Sequence, residues 1–273
     1  VTRLLDEDES TSVQALKDIV RADPVVAPLV LRRVNSAYYG LRRHVTRLEK
    51  AIVLLGFDEV YDIVETASLI QLQDLFESDE GVTVFYQILR NSIGVAAFAR
   101  FLARYVDLGR SRYAYTCGLL HAVGQLVLLY NVPDSYEGLC WSEQDRLRTP
   151  STDEERAIYG TDYAEIGATA ADEWTFPKVH VAVIQYHTSP ETIAERRDWY
   201  PLALTVGAAE EIRPQLLEGT RPKGNPTGRW PYSSKLEQLA EMQDVALFDV
   251  QRALRGQANE VSAYTEMALQ EGP

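Results

Sequence analysis

Signals that start and stop helices recur at short intervals along the chain, whereas signals for strands are scarce. Asp23 followed by Pro24 is typical of an N-cap with proline at the first helical position, and Gly56 follows an apolar stretch as a C-cap glycine does. Thr46 and Glu49 have the spacing of a capping box, in which each side chain bonds the backbone N–H of the other residue. Closely spaced signals of this kind predict an all-α fold.

Between these signals, apolar residues repeat every three to four positions, which is the period of an amphipathic helix. A further capping box is expected at Thr11 and Gln14. The periodic segments predict helices at about residues 82–105, 113–131, 134–148, 152–159, 162–174, 177–187 and 200–217, with short amphipathic helices from 234 to about 269.

The charge balance limits the classes of partner. The 273 residues include 27 Lys and Arg against 40 Asp and Glu, which gives a net charge of −13. A surplus of this sign argues against general binding to nucleic acid or to an anionic membrane. The chain also has only two cysteines, so we expect a reduced, cytoplasmic protein rather than a disulfide framework.

One uncharged stretch, Tyr113–Pro133, is long enough to be examined as a membrane span. It contains His121, Gln125 and Asn131, together with two glycines. Polar side chains at these positions favour a helix buried inside the protein, and we expect no membrane segment here.

Five sequence blocks, in order, resemble the HDOD domain family. They read DPVVAPLVLRRVNSAYYG at 23–40, AIVLLG at 51–56, GLLHAVGQL at 118–126, ERAIYGTDYAEIGA at 155–168 and VIQYH at 183–187. Within the first two blocks, the residues that carry the family signature are Asp23, Pro24, Asn35, Ser36 and Gly56.

The resemblance implies a small N-terminal helical bundle packed on an HD-like helical domain. It also implies a regulatory, non-catalytic role in bacterial signalling. We place the N-terminal subdomain at 1–80 and the HD-like subdomain at 81–218, with the joint near Ser78–Gly81. A Gly/Pro-rich loop at 219–232 then leads into C-terminal helices, so that 219–273 is expected to pack on the core.

HD enzymes, to which the family is related, hold metal with histidines and aspartates, and this chain lacks most of them. The resemblance places the first histidine position at Asn91, the His-Asp pair at His121 and Ala122, and the last aspartate near Glu210. Tyr163 stands where the family has histidine, and His187 is the one histidine kept of a late pair. Since Asn, Ala and Tyr are poor replacements for these ligands, we expect a vestigial pocket with no metal and no cofactor: Asn91, His121, Ala122, Tyr163, His187 and Glu210.

Basic residues are concentrated between positions 32 and 50, in a chain that is otherwise acidic. They could form a solvated face balanced by nearby acids, or a dock for an acidic partner or a phosphorylated group, since guanidinium forks suit both. Asn35 and Ser36 could likewise bond the end of their helix or belong to a partner surface. The candidate partner or anion surface comprises Arg32, Arg33, Arg42, Arg43 and Arg47.

These observations favour a non-enzymatic signalling module that acts through contacts with other signalling proteins. The alternative is a sensor of a small anionic ligand such as a nucleotide, bound in the vestigial pocket. A basic group in the pocket would favour the sensor, and Lys178 and His180 are the local candidates in the sequence. A metal-dependent HD phosphohydrolase with substitute ligands is the third hypothesis.

Overall fold

The computed structural model describes residues 9–109, 111–141, 146–196, 198–220 and 231–269, and the side chains of 9–15 and 111–112 are outside that description. The described residues form α-helices and short 3-10 turns, and their one β-pairing is an isolated bridge between Trp141 and Leu147. The predicted all-α fold is therefore confirmed.

The chain divides into two compact units. Unit 1 comprises Val1–Gln73 with Ala263–Pro273, and unit 2 comprises Asp74–Ser262. The division after Gln73 lies a few residues before the joint expected at Ser78–Gly81. The C-terminal segment 219–273, treated as one piece in the sequence, contributes to both units.

Unit 1 is a small helical bundle whose predicted apolar positions face inward. The apolar repeats of these helices include four residues that are at most 2% exposed: Val30, Val34, Ile52 and Val60. Burial of such repeats is what an amphipathic helix requires. The helices of unit 1 are α1 (Glu9–Ala22), α2 (Val26–Val34), α3 (Leu48–Leu55) and α4 (Phe57–Ile70), with a 3-10 turn at Ala37–Tyr39.

The signature residues of unit 1 shape the ends of its helices. The Asp23 carboxylate accepts the backbone N–H groups of Val25 and Val26 at 2.8 and 3.1 Å, which caps α2. The Asn35 amide accepts from the N–H of Val45 at 2.7 Å and donates to the carbonyl of Val45 at 2.8 Å. Gly56 has φ +81°, a conformation that favours glycine, and separates α3 from α4. These bonds support the structural interpretation of Asn35.

Unit 2 is built around a long central helix. Its helices are α5 (Asp79–Tyr105), α6 (Ser111–Leu120), α7 (Val123–Asn131), α8 (Pro133–Cys140), α9 (Thr152–Tyr159), α10 (Tyr163–Glu173), α11 (Lys178–Tyr186), α12 (Tyr200–Leu217) and α13 (Ser234–Met242), followed by α14 (Leu247–Leu269), which ends in unit 1. The main core of unit 2 joins α5 and α6 to α11, α12, α13 and α14 through fully buried side chains such as Phe98, Leu102, Val183, Leu202 and Leu254.

Some predicted element boundaries were wrong. The helix predicted at 113–131 is interrupted at His121 and Ala122, where the chain makes a turn between α6 and α7. The helix predicted at 134–148 ends at Cys140, and the carbonyl of Cys140 accepts the N–H of Arg148 at 2.8 Å. Of the C-terminal helices, α13 is short as predicted, with nine residues, whereas α14 is longer than predicted, with 23 residues.

Neither predicted capping box closes α1 or α3. Helix α1 already includes Thr11. Helix α3 begins at Leu48 without a side-chain cap, and Glu49 bonds Arg21 at 3.0 Å instead. A complete capping box occurs at Ser151, where the helix α9 begins. Ion pairing with a neighbouring helix thus takes Glu49 away from the local bond that its spacing allows.

Helix α5 is the one described helix that is long and apolar enough to cross a membrane, and 61% of its most apolar stretch is buried inside the protein. The uncharged stretch Tyr113–Pro133 is divided between two helices of ten and nine residues, each too short for a span.

Candidate functional site

Four side chains that are distant from one another along the chain lie close together in unit 2. His121 lies at the turn between α6 and α7, Tyr163 is the first residue of α10, His187 caps the end of α11, and Glu210 lies in α12. Both histidines and Tyr163 are at most 4% exposed, whereas the Glu210 side chain is 32% exposed. We call this group the pocket cluster.

The Tyr163 hydroxyl lies at the centre of the pocket cluster. It donates to the Glu210 carboxylate at 2.8 Å and lies 3.1 Å from His187 Nε2. Glu210 is also 3.5 Å from His187 Nε2 and 4.0 Å from His121 Nε2. The two imidazole rings have centres 5.4 Å apart and stand nearly perpendicular. One carboxylate therefore faces two ring nitrogens and one hydroxyl.

Backbone carbonyls fix the orientation of both rings. His121 Nδ1 is 2.7 Å from the carbonyl of Gly118, and His187 Nδ1 is 2.8 Å from the carbonyl of Ile184. Since a carbonyl can only accept, each Nδ1 carries a hydrogen. Each Nε2 is thereby turned toward Glu210.

Burial determines the charge states in the pocket cluster. It lowers the pKa of His121 to about 4, although Glu210 acts in the opposite direction, so His121 is neutral at pH 7. Burial also raises the pKa of Tyr163 well above its ordinary value. For Glu210, burial acts to raise the pKa, but the neighbouring histidines, the hydrogen bond from Tyr163 and the charge of Lys235 together outweigh it, and the pKa lies below the usual range.

A second carboxylate, which is buried, contacts the cluster through the backbone of Tyr163. Glu155 on α9 is fully buried, and its two oxygens accept the Tyr136 hydroxyl at 2.8 Å and the backbone N–H of Tyr163 at 2.7 Å. Burial raises the pKa of Glu155 to about 7 against these two hydrogen bonds. Glu155 thus fixes the start of α10, and with it the position of the Tyr163 ring.

Two glycines allow the backbones around the cluster to approach closely. A Cβ at Gly124 would lie 1.9 Å from the carbonyl oxygen of Tyr163, and a Cβ at Gly207 would lie 2.2 Å from the carbonyl oxygen of His187. No side chain fits at either place without moving a helix.

Two of the six predicted pocket residues have different surroundings. Ala122 is buried at the start of α7 and has no donor atom in its side chain. Asn91 on α5 accepts from the Arg213 guanidinium and from Gln87 at 3.2 Å, and it donates to the Thr149 hydroxyl at 2.9 Å. The structure therefore brings together His121, Tyr163, His187 and Glu210, and shows Asn91 in a separate network with Arg213.

The residues present do not fit the metal centre of the HD enzymes. That centre needs a carboxylate beside its second histidine, where this chain has Ala122, and a ligand at the first position, where Asn91 bonds a cation. Tyr163 already joins His187 to Glu210. Within the described part of the chain, no group of three or more His, Cys, Asp or Glu side chains is arranged to hold a metal ion.

Among the predicted surface arginines, Arg33 was misassigned. Its side chain is 7% exposed, donates to Glu59 at 2.6 Å, and lies with its guanidinium 4.8 to 5.5 Å from the ring centres of Tyr38, Tyr39 and Tyr264. Arg33 therefore stabilises unit 1 from inside. The sequence pattern could not show this, because Glu59 and Tyr264 are distant along the chain.

The turn that follows Gly40 remains open to solvent. Arg42, Arg43, His44 and Arg47 are exposed, and Arg32 is partly exposed. We call residues 41–47 the basic turn. Val45, in this turn, is fixed to Asn35 by two hydrogen bonds, one donated by each residue.

Lys178 and His180, the two basic candidates for the pocket, contact residues outside the pocket cluster. Lys178 is 74% exposed and pairs with Asp172, and the His180 ring packs 5.3 Å from Tyr113 and 6.2 Å from Phe176. The sequence reasoning missed Arg213, whose charge lowers the pKa of His121 further, after burial and His187. Its spacing of three residues from Glu210, one helical turn, was the available signal.

The described residues define an all-helical protein that divides into two compact units. The sequence profile of the HDOD domain family matches residues 1–190, and the chain belongs to that family.

Known proteins resemble the chain over most of its length. An uncharacterized protein of Treponema pallidum (strain Nichols) is 24% identical over 219 residues, which cover 79% of this chain but only 40% of that protein, so the chain spans less than half of its relative.

Solved structures share the fold at low sequence identity. The crystal structure of an HDOD domain protein from Geobacter sulfurreducens has a TM-score of 0.72 at 18% identity. The match covers 97% of this chain and 89% of that one. The structure of a protein from Shewanella amazonensis SB2B, named provisionally as a phosphohydrolase, has a TM-score of 0.69 at 24% identity. The match covers 98% of this chain and 92% of that one. The structure of a Marinobacter aquaeolei VT8 protein, named provisionally as a signal transduction protein, has a TM-score of 0.64 at 22% identity. The match covers 93% of this chain and 54% of that one.

Proposed function

We propose that this HDOD protein is a cytoplasmic regulatory module that acts by binding other signalling proteins and carries out no hydrolysis. The observation that supports this most directly is the state of the two positions where HD enzymes need ligands. Ala122 offers no donor atom, and Asn91 is bonded to a guanidinium. Hydrolysis at neutral pH by this class depends on a metal that activates water.

The pocket cluster has a structural role in this proposal. Its hydrogen bonds join α10, the end of α11 and α12, and His121 from the α6–α7 turn lies 4.0 Å from Glu210. These elements are far apart in sequence. A buried polar network of this kind stabilises one arrangement of helices, because each group loses its partner if a helix moves.

The surface proposed for partners is the basic turn. Arg42, Arg43 and Arg47 are exposed in a protein whose net charge is −13, so this segment is locally opposite in sign to the whole. Leu41, in this turn, and Tyr38, just before it, are 40% and 59% exposed. Exposed guanidinium groups next to apolar and aromatic side chains suit an acidic protein segment.

The absence of hydrolysis is tested by measuring turnover of a phosphodiester and of nucleoside monophosphates with added Mn²⁺, Mg²⁺ or Zn²⁺. We expect no metal-stimulated rate above background, and no stoichiometric metal by elemental analysis. Turnover that a metal stimulates and that His121→Ala abolishes would show that the protein is an enzyme.

The partner surface is tested by charge reversal. For a partner verified to bind the wild-type chain, we expect Arg42→Glu with Arg43→Glu to weaken binding at least about tenfold. Lys178→Glu is the matched control, since Lys178 is an exposed base on unit 2. Equal loss in the control, or unchanged binding in the double variant, contradicts the assignment of this surface.

The ligand-sensor alternative is less well supported at the pocket cluster itself. The one charged carboxylate there is Glu210, which faces both Nε2 atoms. That arrangement favours a hydrogen-bond donor over an anion. A thermal-shift screen with mononucleotides and cyclic dinucleotides tests it, because binding to the native state raises the midpoint of unfolding.

A further inference from the structure

Helix α3 of unit 1 has an outer side that ends in apolar residues. Its inner side includes Ala51 and Ile52, which are 0% and 2% exposed. Its outer side includes Lys50, Val53 and Leu54, because residues three and four positions apart share one face of a helix. Val53 is 78% exposed and Leu54 is 42% exposed. Since an amphipathic helix ordinarily has polar side chains on its outer face, these two side chains contribute little to the core.

Phe57, the first residue of α4, extends the exposed apolar stretch. It is 39% exposed, and the Lys17 ammonium lies 6.0 Å from the centre of its ring. Asp18 and Asp58 lie next to these two residues in the chain, so charges of both signs border this end. Isolated apolar side chains on a surface are ordinary, whereas such a concentration marks an interaction site. We call the following residues the α3 face: Arg47, Lys50, Val53, Leu54 and Phe57.

Cations border the other end of the α3 face. Arg47, at the start of α3, and Lys50 are both exposed. Glu49, the one acid in α3, accepts a hydrogen bond from Arg21 at 3.0 Å, so a cation of unit 1 offsets its charge. Positions 41–50 contain four Arg and Lys residues and this one acid. The α3 face is therefore positive toward its beginning and apolar toward its end.

We propose that the α3 face binds an acidic amphipathic helix of a partner protein. Apolar side chains of that helix cover Val53, Leu54 and Phe57, as in other complexes in which a helix lays its apolar stripe on a receptor surface. Its carboxylates pair with Arg47 and Lys50, which sets its direction on the surface. The α3 face continues the basic turn and shares Arg47 with it. The inference rests on the proposed role as a binding module and names the chemistry of the partner.

The size and charge of this surface limit what can occupy it. Helix α3 has eight residues and is about 12 Å long, so one partner helix covers it with about two turns. An interface of this size is typical of weak, reversible signalling contacts. A second copy of the chain is the less favourable occupant, because two molecules with a net charge of −13 repel each other.

Binding is measured by fluorescence anisotropy of the full chain with a labelled synthetic peptide of about 18 residues, long enough to form a helix. The peptide has leucines at positions i, i+3, i+4 and i+7, with glutamates beside this stripe. One control peptide has the same residues in scrambled order, and the other has lysine in place of each glutamate. We expect the acidic peptide to bind at least about tenfold more tightly than either control.

Val53→Gln removes the apolar contact without adding a charge, and it is expected to weaken binding of the acidic peptide about tenfold. Lys50→Glu is expected to weaken it about fivefold. Both positions are exposed, so neither change should impair folding. Ile158→Gln is the matched control, because Ile158 on α9 is 54% exposed, and this variant should bind as wild type does.

Three results would overturn the proposal: equal binding of all three peptides, binding unaffected by Val53→Gln, or no binding at about 1 mM. Sedimentation of the wild-type chain tests the other occupant. Self-association that Val53→Gln abolishes would assign the α3 face to a second copy and contradict a partner helix.

The failure of this inference can be distinguished from the failure of the proposed function. Metal-stimulated turnover contradicts the regulatory role, whatever the peptides do. If no peptide binds, while a verified partner is still weakened by charge reversal at Arg42 and Arg43, the α3 face alone is wrong.

Discussion

Arg33 shows how tertiary contacts turn an apparent surface charge into a core residue. Its ion pair with Glu59 is buried, and three tyrosine rings surround its guanidinium. A buried carboxylate that loses its cation is costly, because the attraction that offset its removal from water is lost.

We therefore expect Arg33→Met to lower the free energy of unfolding by about 3–5 kcal/mol. Arg33→Lys keeps the charge but not the planar fork and its contacts with the rings, so a loss of about 1–2 kcal/mol is expected. Urea denaturation measures both values. Arg42→Met, at an exposed position, is the control and should change stability by less than about 0.5 kcal/mol. A loss for Arg33→Met no larger than that of the control would contradict the buried role.

Glu155 gives the protein a stability that depends on pH near neutrality. Burial raises its pKa in the folded protein to about 7, from an ordinary value of 4.5, so the native state binds the proton more tightly than the unfolded chain. The stabilisation is complete below about pH 4.5 and is lost as the pH rises toward 7. At higher pH the buried carboxylate is ionised in both states and the cost is constant.

Glu155→Gln removes this titration. We expect the free energy of unfolding of wild type, measured relative to that of Glu155→Gln, to fall by about 2–3 kcal/mol between pH 5 and pH 8. Denaturation by urea across this range is the measurement. Glu154→Gln is the control, because the Arg148 side chain lowers the pKa of Glu154 to about 2, outside the window. Parallel profiles for wild type and Glu155→Gln would show that Glu155 does not titrate there.

At the scale of elements, glycines decide how closely the helices around the pocket cluster approach. Gly124 on α7 faces the start of α10, where a Cβ would lie 1.9 Å from the Tyr163 carbonyl oxygen. Gly138 on α8 has no atom within 4 Å of the same ideal position. Gly124 is buried and Gly138 is exposed.

Gly124→Ala is expected to destabilise the protein by at least about 2 kcal/mol, because the methyl group meets backbone that cannot yield without moving α10. Gly138→Ala should be neutral or stabilising by up to about 1 kcal/mol, since alanine is the better helix former. Thermal unfolding compares the pair directly. If both substitutions have the same effect, the close approach of α7 and α10 is not the constraint.

At the scale of the whole molecule, the last residues of α14 complete unit 1. Tyr264 lies 4.8 Å from the Arg33 guanidinium, and Thr265, Ala268 and Leu269 are also buried. The N-terminal bundle therefore depends on a segment from the other end of the chain.

Removing the residues after Ser262 should increase amide hydrogen exchange in α2 and α4 at least about tenfold, because it removes the ring over Arg33 and the apolar side chains beside it. Exchange in the central part of α5 should stay as in the full chain. The matched control ends after Leu269. Unchanged protection of α2 and α4 in the shorter chain would show that unit 1 is complete without the C-terminal segment.

Much of this fold could be predicted locally. The Asp23 cap, the Gly56 break and the inward faces of α2 and α5 follow from bonds and periodicities within a few residues. The break at His121 could not be predicted this way, because the apolar pattern continues through it. At this turn His121 bonds the nearby Gly118 carbonyl and lies 4.0 Å from Glu210, on a helix far along the chain.

The sequence by itself determined the helical class and the family, because both rest on residue type and short-range order. The absence of HD ligands at Asn91 and Ala122 is what the family resemblance implies. Only the tertiary structure decided which charges are buried and what they face. In the folded protein Arg33 is buried, and Tyr163 donates to Glu210. Arg213 pairs with Glu218 and also donates to Asn91. The physical reason is that the cost of burying a charge depends on partners that folding brings from distant parts of the chain.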